Sequence, residues 1–394
     1  MSNQEEPSAC EIRIFARVLD DNARDQINQL AHHPALKGPV AIMPDAHAGA
    51  GCVIGFTGRF HEAVIPNIVG VDIGCGVAAY RLSGLAAPDY HKLDNFIRRN
   101  IPLGMSSRKD DRVFGQKSIL EAKAGAWMEL CDRMEKGFFG EYGIGRHTSP
   151  ALQLGTLGGG NHFIEVDRGH QGDLYLLIHS GSRNFGLRVA EFFQKRAQEF
   201  TRKKRIQVPS GAEFLPMKNG GDEYVHWAQM AQTYARYNRQ AMLFLMLDFL
   251  GCSFEEKQFI ESVHNYISPV DQIVRKGAIS ARSSERVVVP LNMADGTIIG
   301  RGKSNPAYNF SAPHGAGRMH GRQEMKRMLA AGTLSMQQFQ SSMTHVYSTS
   351  ISRNTIDESK FAYKPFEAIR EFLEETVEIE DHLTPVYNLK AGDG

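Results

Sequence analysis

Six side chains that can bind a metal or attack phosphorus are spread along the chain: Asp72, Cys75, His162, His179, His264 and His314. Asp72 and Cys75 stand three residues apart in the run 69–77 (VGVDIGCGV), where Gly74 and Gly76 permit positive φ and close backbone approach. The apolar approach at 63–68 reads as a strand that delivers this turn to the interior. A buried carboxylate beside a buried thiol is costly unless positive charge lies between them, and a divalent cation supplies it. With the histidines the set becomes an O/S/N donor group. Thiolate plus imidazole alone would suggest zinc. One cysteine among widely spaced oxygen and nitrogen donors is not a structural-zinc signature, however, and spacing does not name the metal. Five donors exceed the needs of one tetrahedral ion, so a two-ion site bridged by Cys75 is attractive, and two ions suit in-line phosphoryl transfer.

His314 has a different setting. In His314-Gly315-Ala316-Gly317-Arg318 small neighbours clear space around the imidazole, an arginine follows, and a helix begins. Helix-start amides and an arginine fork suit a phosphate. The histidine could be a sixth ligand, a general base, or a nucleophile that forms a phosphoramidate, and the residues alone do not choose. Asp45 and His47 sit in a glycine-rich turn, where a plain hairpin with two exposed polar residues weighs equally with a site.

These groups need a frame. A strand is expected within 11–20 and a helix over 21–31, then strand, glycine turn and strand over 40–55. Helices are expected at 88–100 and 116–136 and loops at 101–115 and 137–150, with Ser106 to Arg112 a solvated basic loop. A glycine loop runs into a strand over 153–166. Alternation there puts His162 and Ile164 on one face and Asn161, Phe163 and Glu165 on the other. A strand at 174–183 carries His179, and an amphipathic helix follows over 186–205. Its end, Thr201 to Arg205, is the cationic terminus a helix dipole favours. The longest helix, 222–250, has Tyr224, Trp227, Met230, Tyr234 and Tyr237 at helical spacing, a core stripe. The segment 259–266 supplies His264 beside Asn265, short strands follow over 273–281 and 287–293, and a helix over 321–331. The site-like elements, from 45 to 322, must converge, so one large domain covering 1–394 is expected.

Composition narrows the classes. Lys+Arg number 45 and Asp+Glu 44, so the net charge of +1 predicts no nucleic-acid partner from global electrostatics; such a surface would be local. Five scattered cysteines without a CxxC pair argue for a reducing compartment. Residues 1–10 are polar and acidic, unlike a signal peptide. The apolar stretch 241–252 is short and carries Asp248, so no membrane span is expected. A cytoplasmic protein is the expectation.

Taken together, the motifs closely resemble the RtcB family of GTP-dependent RNA ligases. The matching pieces are Asp45 to Gly51, Val69 to Gly76, Leu154 to Glu165, His179 to Arg183, His264 to Tyr266, Arg275 to Arg282 and His314 to Arg318. The resemblance implies an α+β fold, a single large domain with mixed sheets around a deep dinuclear site. It implies two Mn²⁺ ions held by Asp72, Cys75, His162, His179 and His264, with Cys75 bridging. His314 matches the histidine that forms a covalent adduct with GMP. Asn161, His162, Phe163, Ile164, Glu165, His264, Asn265, Pro290, Leu291, Asn292, Met293, Thr297, His314, Gly315, Ala316, Gly317 and Lys390 match guanylate-binding positions. Arg183, Arg318 and Arg322 resemble positions that contact RNA or phosphate. The implied partners are GTP, RNA with 3′-phosphate (or 2′,3′-cyclic phosphate) and 5′-hydroxyl ends, and an activating protein.

The chain departs from the family pattern in places. Ala50 replaces a usual lysine, Asn292 and Thr297 replace usual serines, Val263 a usual histidine and Gly321 a frequent serine, while four residues run past Lys390. These changes suit a divergent bacterial paralogue specialised in RNA repair. The competing readings are a metal-dependent phosphoesterase acting on cyclic-phosphate RNA ends or nucleotides, and a non-catalytic RNA-end-binding protein.

Overall fold

The computed structural model describes residues 10–111, 118–145 and 148–391. Arg112 of the expected basic loop, the start of the expected 116–136 helix, residues 1–9 and the tail beyond Ala391 lie outside the described residues. Two sheets carry the site. The larger has seven strands in the order Arg286–Asn292, Gly296–Gly302, Val377–Lys390, Phe163–Arg168, Leu174–Ser180, Gly76–Leu82, Phe259–Val263. Every pairing in it is antiparallel. The smaller, mixed sheet runs Ile12–Ile14, Val40–His47, Ile54–Arg59, Ile273–Lys276, Asn265–Ser268. An α+β architecture with helices and mixed sheets is the observed class.

The larger sheet curls until its edge strands meet, and Val288 N–H donates to Ser262 Oγ at 2.9 Å. Phe163, Leu177, Val288, Ile299 and Leu383 fill the inside of the curl. The outer face buries Ile164, Val166, Leu176 and Ile178 against the helices Arg183–Lys204 and Gly221–Phe249. Tyr224, Trp227, Met230 and Tyr234 are buried there, so the aromatic stripe is core. The strand registers bring residues 76, 163, 179, 263 and 390 to one end of the curl. That end holds the site.

Three expectations need correction. Residues 63–68 form only a two-residue strand, Ala63–Val64, and then the helix Pro66–Val69 begins, because Pro66 suits a first helical position. The segment 137–150 is not all loop: Met134–Gly140 continues the Ser118–Arg133 helix as a π-helix. Gly76 does not use positive φ. It lies in a strand, and a Cβ there would come 2.6 Å from Ser262 O, so it is small for close packing.

Gly74 does use the left-handed region, at φ +78, and a Cβ there would lie 2.8 Å from Gln232 Cα and 2.9 Å from Ala235 Cβ. Left-handed strain of about 1–2 kcal/mol adds to overpacking of about 1–3 kcal/mol. Gly74→Ala is therefore expected to lower unfolding free energy by roughly 2–5 kcal/mol in urea melts. An unchanged midpoint would refute the tight turn.

Candidate active site

Cys75 sits where the glycine turn enters the Gly76–Leu82 strand, and Leu174–Ser180 pairs alongside. That register places His179 beside Val77 on one side and Phe163 on the other. Cys75 Sγ is 3.2 Å from His179 Nε2 and 3.5 Å from His162 Nε2. The three are buried, and their ligand atoms lie within 4.8 Å of one another. His162 stands one residue ahead of the Phe163–Arg168 strand, so the glycine loop aims its ring, not strand alternation. Asn161, Phe163 and Glu165 do share the cavity side.

The two rings are oriented from behind. His162 Nδ1 meets Leu157 O at 2.8 Å and His179 Nδ1 meets Asn161 O at 3.1 Å. A carbonyl accepts, so Nδ1 carries the proton and Nε2 presents a lone pair. His162 Nε2 then faces Asp72 Oδ2 at 3.0 Å as well as the sulfur. Several electron-rich atoms converge here, and a proton or a metal ion is the physical means of offsetting their repulsion. Burial pushes Asp72 up, but where a proton on His162 Nε2 fills that role its hydrogen bond and charge outweigh burial and bring the carboxyl down to about 2. Burial, then the charge of Asp72, pushes the Cys75 thiol up. Burial and neighbouring imidazoles push His179 and His264 well below the ordinary histidine range. Neutral imidazoles, a thiol and a carboxylate in one dry place fit a divalent metal. His264 extends the group: its ring centroid is 5.1 Å from His179, and its N–H donates to Cys75 O at 2.9 Å.

Two adjacent residues of the longest helix brace these turns. Arg239, 0% exposed, donates from Nη1 to Gly74 O (2.8 Å) and Ser180 O (2.7 Å) and from Nε to Glu261 (2.9 Å). Asn238 accepts from Thr156 N–H at 3.1 Å and donates to Thr156 O, Ser180 Oγ and Gly181 O at 3.0–3.2 Å. The segments bearing Cys75, His162 and His179 are thus referred to one rigid element.

On the far side of His264, 4.9 Å from it by ring centroid, is His314. Asp45 Oδ2 lies 2.6 Å from His314 Nδ1 and accepts the His314 backbone N–H at 3.1 Å. The ring nitrogen is close without being aligned as a conventional hydrogen bond. Asp45 is itself fixed: Lys364 donates to Pro44 O and Ala46 O, and Gly317, at φ +76, passes where any Cβ would sit 2.1 Å from Asp45 O. The Asp45–His47 turn is therefore part of the site, and burial takes His47 down to about 4.

Two connected cavities open from this point, sharing His47, Asn161, His264, His314 and Arg318. The inner one, about 90 Å³, is also lined by Phe163, Glu165, His179, Pro290, Leu291, Asn292, Met293, Gly315, Ala316, Gly317, Tyr363, Asn388 and Lys390. The outer, about 840 Å³, takes Asp72, Cys75, Asn265, Lys276, Arg322 and Arg327. Most of the expected nucleotide positions converge on the inner cavity. Four do not: His162 joins the donor cluster, Ile164 points into the core, Asn265 lies in the outer cavity, and Thr297 is buried in its strand. Arg183 lines neither cavity; it donates to Thr156 Oγ1 (3.1 Å) and Gly104 O (3.0 Å). Arg318 pairs with buried Glu358, and Arg322 reaches Asp357 at 3.4 Å. Lys390 pairs with Glu358 at 2.7 Å.

Sequence reading did not single out Tyr363, Asn388, Glu358, Asn238 or Arg239. Asn388 and Lys390 are alternate positions of one strand, and that spacing was the available signal for Asn388. The bracing pair carried none.

Fold and site define an α+β protein built around a candidate metal centre that opens into a ligand cavity. The family model described as "tRNA-splicing ligase RtcB" matches residues 26–391, and the chain belongs to the RtcB family. It is 30% identical to "RNA-splicing ligase RtcB" of Escherichia coli K12 over 92% of each chain. It is 27% identical to "RNA-splicing ligase RtcB2" of Escherichia coli ATCC 25922 over 89% of this chain and 86% of the relative. Identity to "tRNA-splicing ligase RtcB" of Nanoarchaeum equitans is 25% over 80% of each. Among the described residues no helix is long and apolar enough to cross a membrane.

Arg239→Lys keeps the charge beside Glu261 but cannot reach both carbonyls at once. Divalent-metal affinity is expected to fall about 10–100-fold in calorimetric titration with Mn²⁺, with the fold intact by circular dichroism. Unchanged affinity would show that the brace does not shape the centre.

Proposed function

We propose that this protein is an RNA ligase that joins an RNA 3′-phosphate end to a 5′-hydroxyl end, consuming GTP and using two Mn²⁺ ions. The observation that carries the reading is His314 held by Asp45 between the donor cluster and the inner cavity. Family membership and the relatives' names support RNA ligation as the activity. Asp72, Cys75, His162, His179 and His264 would hold the ions, and the metal would neutralise charge on crowded phosphates.

Asp45 keeps the proton of His314 on Nδ1, which leaves Nε2 free to attack the α-phosphorus of GTP. A P–N bond forms and the P–O bond to pyrophosphate breaks. An RNA 3′-phosphate oxygen next attacks the same phosphorus. The P–N bond breaks, His314 is regenerated, and the RNA end carries a 3′-pyrophosphate link to guanosine. The 5′-hydroxyl of the second RNA end then attacks the RNA's own 3′-phosphorus, loses its proton and expels GMP. A 2′,3′-cyclic phosphate is first opened by water to the 3′-phosphate. Arg318, Arg322 and Lys276 line the outer cavity, where an RNA end would lie. Asn161, Phe163, Glu165 and Lys390 belong to the guanylate side.

Incubation with GTP and Mn²⁺ is expected to add one GMP to the intact protein by mass spectrometry. The adduct should vanish in His314→Ala and on chelation, and form about 10²–10⁴-fold more slowly in Asp45→Asn. Absence of an adduct with every divalent metal tested would overturn the proposal. Cyclic-phosphate opening retained in His314→Ala without ligation by the wild type would point to a phosphoesterase.

A further inference from the structure

Behind the inner cavity lies a second acidic residue that the reaction does not use. Glu165 and Asp167 are two apart on the Phe163–Arg168 strand, hence on one face, and both are buried. Asn388, opposite Glu165 in register, donates its amide to Glu165 Oε2. Glu165 and Thr297 both lie against Asp167. Yet both Asp167 oxygens, Thr297 Oγ1 and Asn388 Oδ1 are buried without an aligned hydrogen-bond partner. Only the carboxylate nearer the mouth, Glu165, lines the cavity.

Counterions do not balance this pair. Lys390, the cation whose charge acts on Glu165, is engaged by Glu358 at 2.7 Å, and Arg318 is committed to the same carboxylate. Tyr175, opposite Asp167, is a phenol pushed further from ionisation by burial. His179 stands opposite Phe163, and His314 lies across the cavity. Two buried carboxyls without their own cation must keep a proton between them.

We infer that Asp167 is a positioning residue for Glu165: backed by Thr297, it holds that carboxylate as the acceptor for the N–H-bearing edge of a guanine-type base. The inference rests on the proposed use of a guanosine nucleotide. Thr297 donates to Asp167, Asp167 donates its proton to Glu165, and Asn388 donates to Glu165 from the neighbouring strand. The lone pairs left to Glu165 face the cavity. Guanine offers two adjacent donors, N1–H and the exocyclic amine, to such an acceptor, whereas adenine presents an acceptor at N1 and is rejected. Burial raises Glu165 to about 7, and burial together with the Glu165 charge raises Asp167 well above the ordinary carboxylate range. The accepting form of Glu165 accumulates as pH rises through about 7.

The test uses the full-length, Mn²⁺-loaded protein and measures GTP and ATP affinity on both sides of that pH. Wild type should bind GTP more tightly as pH rises, with ATP affinity flat. Asp167→Leu removes the donor. GTP affinity near neutral pH should fall about 10–100-fold and its midpoint should move up, with ATP and Mn²⁺ affinities unchanged. Asp167→Asn supplies a neutral donor and should restore GTP affinity and selectivity. Wild-type behaviour in Asp167→Leu would overturn the inference, as would equal loss of GTP, ATP and Mn²⁺ binding, or failure of Asn to rescue. If Asp167→Leu behaves as wild type while wild type still forms the GMP adduct, this inference alone falls. If wild type neither binds GTP nor forms the adduct, the functional reading falls and takes this with it.

Discussion

Arg239 carries a full positive charge into the interior at 0% exposure, and what offsets that cost is the set of acceptors it meets there: Gly74 O, Ser180 O and the Glu261 carboxylate. Burying a cation without such partners would be prohibitive. The requirement runs both ways, because the buried carbonyls of Gly74 and Ser180 also need donors. One guanidinium therefore fixes the turn after Asp72 relative to the strand end at His179. Asn238 adds the glycine loop by capturing both backbone groups of Thr156. The helix that holds both residues is the longest in the protein and is buried along most of its length, so the reference it provides is stiff.

Desolvation has opposite uses in the two halves of the site. Around Cys75 it keeps imidazoles neutral, which leaves their Nε2 lone pairs available for a cation. On the far side of the inner cavity it meets Glu358, Lys390 and Arg318, whose charges satisfy one another while buried. Lys390 lies 5.1 Å from the centroid of the Phe163 ring, so the cavity wall joins a cation, an aromatic face and acidic groups. His314 stands between these halves with its own carboxylate. Charge therefore reaches the His314 ring from both sides of the site.

Much of the donor set was legible because the chemistry demands unusual residue types in glycine-rich surroundings. Asp72 with Cys75, and the histidines at strand ends, have few bland explanations when they occur together. The strand bearing His179 and the one that begins just after His162 were legible for the same reason as any buried strand, being apolar runs closed by turns, whereas the Gly76–Leu82 strand that follows Cys75 was not read. The Val377–Lys390 strand was not: its first half alternates with Glu, Asp and His, Pro385 interrupts it at a bulge, and its pairing partners come from distant parts of the chain. Asn238 and Arg239 were hidden because a polar pair on a long helix reads as solvent-facing until the neighbouring turns are in place. Asp45 was visible as a residue but not as a partner, since nothing local links it to His314 across 269 positions. The 63–68 strand failed on one residue, Pro66, whose fixed φ starts a helix as readily as it ends a strand.

The departures from the family pattern acquire meaning once they are placed. Asn292 spends its side chain locally, accepting from Ala294 and Asp295 N–H and donating to the Asp295 carboxylate at 2.8 Å, so it builds the hairpin turn at the cavity rim. Thr297 faces Asp167 instead of the cavity. Asn292 therefore both lines the inner cavity and builds its rim turn, while Thr297 acts on the lining at one remove, through a carboxyl. At Ala50 the backbone carbonyl accepts the Lys276 ammonium at 2.6 Å, so a cation still stands at the outer cavity, delivered from a different strand. Gly321 leaves the Arg322–Ala330 helix without a side-chain cap, and the first residue of that helix, Arg322, lines the outer cavity. None of these substitutions removes a donor from the Cys75 cluster or disturbs the Asp45–His314 contact. These four changes therefore fall on the rim and its supports, while the thiol and imidazoles of the cluster and the Asp45–His314 contact stay in place.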